Sequence, residues 1–257
     1  MRSCLFFIFV LLGLFVVPDS AFASEGGFLW LSHLGIDHHF NHVVTAMFVG
    51  ASVVLLTFVA GQQVLRVMAR SDGGIVPEGK LTFRNAFEAV GEALYSMTVM
   101  VLGEHDAPRY FAVVGSLFLF IFFSNLVGLI PGMLPPTENL NTTLALGFFV
   151  FVYYNWQGIK EHKAGYIKHF MGPMLAMAPL ILVIEIISHL VRPLSLALRL
   201  RGNIMGDHIV LSVFNELGVP LVPTIFYGLG LFVSFMQSYV FVLLTMVYIS
   251  LANSHDH

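Results

Sequence analysis

From about Met174 to Leu217 the chain is almost continuously apolar, and a second apolar stretch, Val219–Ala252, follows it nearly at once. As a helix the first would be on the order of 65 Å long and the second roughly 50 Å. The hydrocarbon layer of a bilayer is only about 30 Å thick. Ordinary tilts of up to about 40° do not absorb that excess. Either the first helix breaks near Pro193, or it lies far over within the membrane. Pro220 and Pro223 mark the turn between the two stretches, so the expectation is a long, steeply tilted helical hairpin.

The rest of the chain supports a bilayer setting. Charged residues make up 11% of the sequence and apolar ones 57%, whereas a soluble domain carries about 25% charged residues. The net charge of −3 argues against a nucleic-acid partner. Met1 to Ala23 has one basic residue, a short apolar core and an Ala21-Phe-Ala23 end, the pattern of a secretory signal peptide cut after Ala23. Cys4, the only cysteine, would leave with it. Residues 24–257 then form a single polytopic membrane domain. Its inner helices are expected at 43–65, 110–130 and 141–157, and the tilted hairpin at 174–252. Leu81–Leu102 is amphipathic, with Glu88 and Glu92 one turn apart, and reads as a surface helix. The fold class is therefore an all-α membrane protein, with about five embedded helices and one surface helix.

Basic residues gather on the cytoplasmic side. Arg66, Arg70, Lys80, Arg84, Lys160, Lys163 and Lys168 fall in the 66–84 and 157–170 segments, whereas 24–42 and 131–140 hold none. The mature N-terminus is then outside and the C-terminus cytoplasmic.

Polar residues inside the long stretches carry the chemistry. On a helical wheel Glu185, Ser188, Arg192, Ser195, Arg199, Gly202, Asn203 and Gly206 share one stripe. A guanidinium at bilayer depth costs about 2.5–3.5 kcal/mol on the mildest scale, and it keeps its charge at any ordinary pH. Arg199 is thus a fixed cation whose default reading is functional. Small residues in the same stripe let another helix approach closely. On the second helix Gly230, Ser234, Gln237, Phe241 and Tyr248 form a matching stripe. An amide in lipid needs a partner, and the one expected for Gln237 is the Arg199–Asn203 face.

Glu185, Asp207 and His208 can exchange protons, and chains of such residues in membranes mark proton relays. They lie on either side of Arg199, the layout of two proton paths separated by an electrostatic gate. Each has an ordinary alternative. Glu185 could be a structural hydrogen-bonder, and Asp207 and His208 could pair with each other or face solvent. Arg192 and Arg201 could snorkel, Arg201 the more readily because it points off the stripe. Glu138 and Asn141 could line a water-filled mouth or serve as turn and cap residues. Asp37-His-His-Phe-Asn-His42 places His38 and His42 on one face but is a weak metal candidate, and Glu104-His-Asp106 has no zincin spacing. No cofactor is expected. No phosphate-binding Gly loop, His-Glu-x-x-His or nucleophile elbow occurs.

The run Pro193-Leu-Ser-Leu-Ala-Leu-Arg199-Leu-Arg-Gly-Asn203, with Gln237-Ser-Tyr-Val-Phe-Val-Leu-Leu-Thr245-Met-Val-Tyr248-Ile-Ser250 and Pro135-Pro-Thr-Glu-Asn-Leu-Asn141-Thr-Thr-Leu, closely resembles subunit a of the F-type ATP synthase. The likeness runs in order from about residue 40 to the end. It implies a stator subunit of the proton-conducting membrane sector. Such a subunit sits in a bacterial inner membrane beside a ring of small c-type hairpin subunits and b-type peripheral-stalk subunits, embedded in lipid. It implies that Arg199 is the family's arginine, which keeps a passing ring carboxylate ionised. It also implies that Asn203 and Gln237 are its polar neighbours and that Glu185 is the acid of the cytoplasmic half-channel. Many bacterial members have a small residue at 207, Glu at 208 and His at 230. Here the acid stands at Asp207, the histidine has crossed to His208, and Gly230 is expected to make room for it. Which of Asp207 and His208 is the main outer relay is left open.

Two rival functions are weaker. An independent transporter would have internal repeats of its spans, and none is visible. An intramembrane enzyme would need a nucleophile or metal set at bilayer depth.

Overall fold

The computed structural model describes residues 41–68, 83–130, 133–162, 178–216 and 221–253. The signal-peptide segment, Asp37–Phe40, Arg70, Lys80, Lys163, Lys168 and Pro220 lie outside the described residues.

The described elements are six α-helices and one short 3-10 turn, with no strand among them. They are α1 (Asn41–Met68), α2 (Phe83–Leu102), α3 (Ala107–Val127), the 3-10 turn Pro136–Glu138, α4 (Leu140–His162), α5 (Ala178–Glu216) and α6 (Leu221–Asn253). Among the described residues, three segments are long and apolar enough to cross a membrane: Asn41–Leu65, Ala107–Val127 and Ile225–Asn253. The protein is a multi-pass, all-α membrane protein. α4 is not in that set, because Asn141-Thr-Thr at its start and Asn155-Trp-Gln-Gly-Ile-Lys-Glu-His162 at its end leave only a short apolar middle.

α3 is the centre of the bundle. Tyr110, Val114, Leu117 and Ile121 are fully buried on it, and it packs against α1, α2 and α6. α2 is amphipathic: Leu94, Met97 and Thr98 are buried, while Glu88 and Glu92 are exposed. Gly103 ends it with φ +82°, a left-handed conformation that glycine adopts without steric cost. Its N–H bonds the Val99 carbonyl at 2.8 Å, and the chain turns directly into α3.

α5 runs unbroken through Pro193. Proline removes the N–H that would bond the carbonyl four residues back, yet no break follows, which settles the alternative left by the sequence. A continuous helix of about 58 Å remains, far longer than a hydrocarbon layer. α4 holds α5 closely at this point. A Cβ on Gly147 would stand 2.6 Å from the Pro193 carbonyl oxygen, so only glycine permits the approach. The side of α5 carrying Leu196, Ala197, Leu200 and Ile204 is buried against the bundle. Val183, Ile187, Leu190, Leu194, Leu198 and Val213 are exposed. An apolar face of that extent suits lipid or a membrane partner, not water.

Candidate functional site

The polar stripe of α5 lies on the open side of the helix. Arg199, Gly202 and Asn203 are exposed, opposite the buried Leu196–Ala197–Leu200–Ile204 side. A Cβ on Gly202 or Gly206 would meet nothing within 4 Å. Among the described residues Arg199 has no hydrogen-bond or ion-pair partner. An unpartnered guanidinium on an open, apolar-flanked face is an incomplete electrostatic arrangement. It is complete only when an anion or water comes to it.

The α6 stripe behaves differently. Gly230, Ser234, Gln237 and Phe241 are buried, not open. Among the described residues the two stripes meet at a hydrogen bond, Asn203 Nδ2 donating to Gln237 Oε1 at 2.6 Å, and where Arg192 covers the Tyr248 ring. The hydrogen bond satisfies the amide oxygen of Gln237 and fixes the Asn203 side chain one turn from Arg199.

Toward the C-terminal end of α5 a network forms with the turn after α3. His208 Nε2 is 3.1 Å from the Gly128 carbonyl oxygen. A carbonyl only accepts, so Nε2 carries a hydrogen. His208 Nδ1 stands 3.1 Å from Glu138 Oε2, in an ion-pair contact whose angle falls short of a hydrogen bond. Both side chains are about one-fifth exposed.

Three features hold Glu138 there. Arg201 Nε donates to the Glu138 carbonyl at 3.1 Å. Thr137 Oγ1 donates to Asn125 Oδ1 of α3 at 2.7 Å. Asn139 Oδ1 accepts from the N–H of Asn141 at 2.8 Å, capping the start of α4. Arg201, which lies off the stripe, ties the turn to α5. The room at Gly230 is not taken by His208: a Cβ there would meet Leu129 at 2.7 Å. It is Gly128 that accommodates the histidine, since a Cβ on it would lie 2.9 Å from His208 Nε2. Asp207 is half-buried on a different side of the helix and joins none of these contacts. Ser124 Oγ, Asn125 Nδ2 and Thr142 Oγ1 are buried nearby without a protein partner. Buried polar atoms of this kind are ordinarily paired, with water where nothing else serves.

Toward the N-terminal end of α5, Glu185 is half-exposed, with His189 one turn on. Sequence reasoning passed over His189, although its spacing of four from Glu185 was the available signal. Arg192 stacks over the Tyr248 ring of α6 at 5.5 Å, a cation–π contact and not a free cation. The same end of the bundle is tied by Arg109, which donates to Glu161 Oε2 at 3.2 Å and Gln157 Oε1 at 3.1 Å. Asn253 Nδ2 donates to the Tyr110 hydroxyl at 2.7 Å. No cluster of His, Cys, Asp and Glu among the described residues could hold a metal ion.

Helical rise puts Glu185 about 21 Å and His208 about 14 Å from Arg199 along the axis, in opposite directions. Exchangeable groups thus stand at both ends of one helix, with a fixed, open cation between them.

Residues 42–250 match the family model described as ATP synthase A chain. The chain is 46% identical over 225 residues to ATP synthase subunit a of Bdellovibrio bacteriovorus, covering 87% of this chain and 96% of that one. It is 43% identical over 210 residues to ATP synthase subunit a of Citrifermentans bemidjiense, covering 81% and 90%. With ATP synthase subunit a of Nitratidesulfovibrio vulgaris the identity is 48% over 194 residues, covering 75% and 81%. The chain belongs to the ATP synthase A chain family.

Proposed function

We propose that this chain, a stator subunit of the F-type ATP synthase membrane sector, conducts protons through two offset half-paths and so couples their flow to rotation of a ring of c-type subunits. The observation that carries the reading is Arg199: a permanent cation on the open face of α5, unpartnered among the described residues, with proton-exchanging groups at both ends of its helix. A carboxylate on the neighbouring ring completes the arrangement. It passes Arg199 as the anion, and a proton arriving from either path is repelled by the guanidinium. Leakage straight across is therefore blocked. Each charge moved gains about 2.3 kcal/mol per 100 mV.

The outer path runs by the Glu138–His208 pair, and the inner path by Glu185. In that pair His208 is the outer relay, because it meets Glu138 and Asp207 does not. Asn203 and Gln237 hold one another beside the gate. The basic residues at 66–84 and 157–170 support a cytoplasmic Glu185 end and an outer His208 end. Family membership supports b-type stalk subunits and the c-ring as the partners.

The test is Arg199→Ala in the whole complex reconstituted in sealed vesicles. ATP synthesis driven by a proton gradient is expected to fall to background while the subunit still copurifies with ring and stalk. Normal synthesis in that variant would end the reading.

A further inference from the structure

His189 and Glu185 leave α5 one turn apart, and His189 Nδ1 stands 3.7 Å from Glu185 Oε1. That is ion-pair distance, slightly beyond a direct hydrogen bond. The side chains are unequally covered: that of His189 is 13% exposed and that of Glu185 34%. The imidazole is therefore the inward partner. Its ring meets Tyr154 of α4 edge-on, with centroids 5.8 Å apart at 72°. Tyr154 is buried and meets Tyr248 of α6 at 5.9 Å. Arg192 and Asn155 face the Tyr154 hydroxyl, and Arg192 covers Tyr248.

The charged and titratable groups around the imidazole are thus Glu185 and Arg192 on its own helix, Tyr154 on α4 and Tyr248 on α6. Arg192 keeps its charge at any ordinary pH. Glu185 and His189 are the carboxylate and the imidazole of this set.

We propose that the Glu185–His189 pair, and not Glu185 alone, is the proton-exchanging unit of the inner path. The inference rests on the half-path reading above. When the 3.7 Å gap closes to hydrogen-bond distance, a proton on Glu185 Oε1 passes to His189 Nδ1, leaving carboxylate and imidazolium, and no other bond changes. The carboxylate stabilises the imidazolium, while Arg192 opposes it. The imidazolium then returns that proton to Glu185 or releases one from Nε2 to water of the inner path. Glu185, on the more open side, is left ionised to accept the next proton from the ring.

The test uses the whole complex in sealed vesicles with His189→Gln and with His189→Phe, which keeps an aromatic ring against Tyr154. Passive proton conductance through the membrane sector is followed while pH is stepped on each side separately. Conductance is expected to drop about tenfold, less than the roughly 100-fold or more of a lone positioned acid–base group, because Glu185 remains. The inner-side pH profile should lose a titration step and the outer-side profile should keep its shape. An unchanged inner-side profile in either assembled variant overturns the proposal. Glu185→Gln separates the two levels. Wild-type conductance in that variant removes the half-path reading itself. Reduced conductance there, with wild-type behaviour in His189→Gln, removes only the pair. Should both His189 variants fail to copurify with the ring, nitrogen NMR of the histidine-labelled complex decides. A titrating imidazole signal that shifts on Glu185→Gln is expected, and no signal sensitive to that change overturns the pair.

Discussion

The two ends of α5 bring acid and imidazole together by different means. At the Glu185 end both groups sit on one helix, four residues apart, so the helix repeat alone makes them neighbours. At the His208 end the partners come from three places: α5, the 3-10 turn and the carbonyl that follows α3. The first arrangement survives as long as the helix does. The second exists only when the turn docks, and Arg201 and Thr137 are what dock it. A pair written into helix register tolerates movement of its neighbours, whereas a pair assembled across loops reports on every contact that positions the loop.

The largest effect that would sharpen this contrast is loss of the assembled pair. His208→Gln and Glu138→Gln are each expected to cut proton conductance about 100-fold, the scale of a positioned acid–base group. Because the two meet as one pair, the double variant should be little worse than either single one. Conductance measured in the three variants checks this. Losses that multiply in the double variant would mean that the residues work separately, and the contrast between the two ends would fail.

A smaller effect follows from sterics alone. Gly128→Ala places a methyl 2.9 Å from His208 Nε2 and 2.7 Å from Pro135 Cγ, and overpacking of this kind costs about 1–3 kcal/mol. The imidazole must swing away from its carbonyl. Conductance should fall in the same direction as in His208→Gln, though less, and the dependence on outer-side pH should shift while that on inner-side pH does not. A change in the inner-side dependence would break the claim that the ends are built independently.

The same contrast explains what the sequence disclosed. The α5 stripe, the open Arg199 and the buried amide of Gln237 were legible because helix period and hydropathy are local properties. So were the long last two helices, the amphipathic α2 and the all-α class. The His208–Gly128 contact joins residues 80 positions apart, and nothing in either segment announces it. The sequence therefore could not choose between Asp207 and His208, which are adjacent in the chain and divided only by which side of the helix meets the turn. It assigned the space at Gly230 to His208, whereas Leu129 uses it. The partner expected for the Gln237 amide is the one found, whereas the burial of Gly230, Ser234 and Phe241 on the same stripe depends on tertiary packing. His189 was legible by its spacing of four from Glu185 and was missed because it falls outside the stripe that carries Glu185, Ser188 and Arg192.

The least of these effects concerns Arg201, whose charge lies off the functional stripe. Its Nε bond to the Glu138 carbonyl involves a charged donor, and such bonds contribute about 1.5–3 kcal/mol where water is excluded. Arg201 is only half-buried, so the lower part of that range applies. Arg201→Ala should loosen the turn without removing any proton-exchanging group. Conductance is then expected to fall only a few-fold, because Thr137 and the Asn139 cap still hold the turn from its other side. Arg201→Lys should restore little, since an ammonium lacks the fixed, planar Nε–H that meets the carbonyl. Hydrogen exchange of the 133–139 backbone amides in the assembled complex reads the loosening directly. Faster exchange there, with conductance reduced less than in Gly128→Ala, is the expected ranking. Exchange unchanged in Arg201→Ala would mean that the turn docks without α5, and the outer pair would then be as local in origin as the inner one.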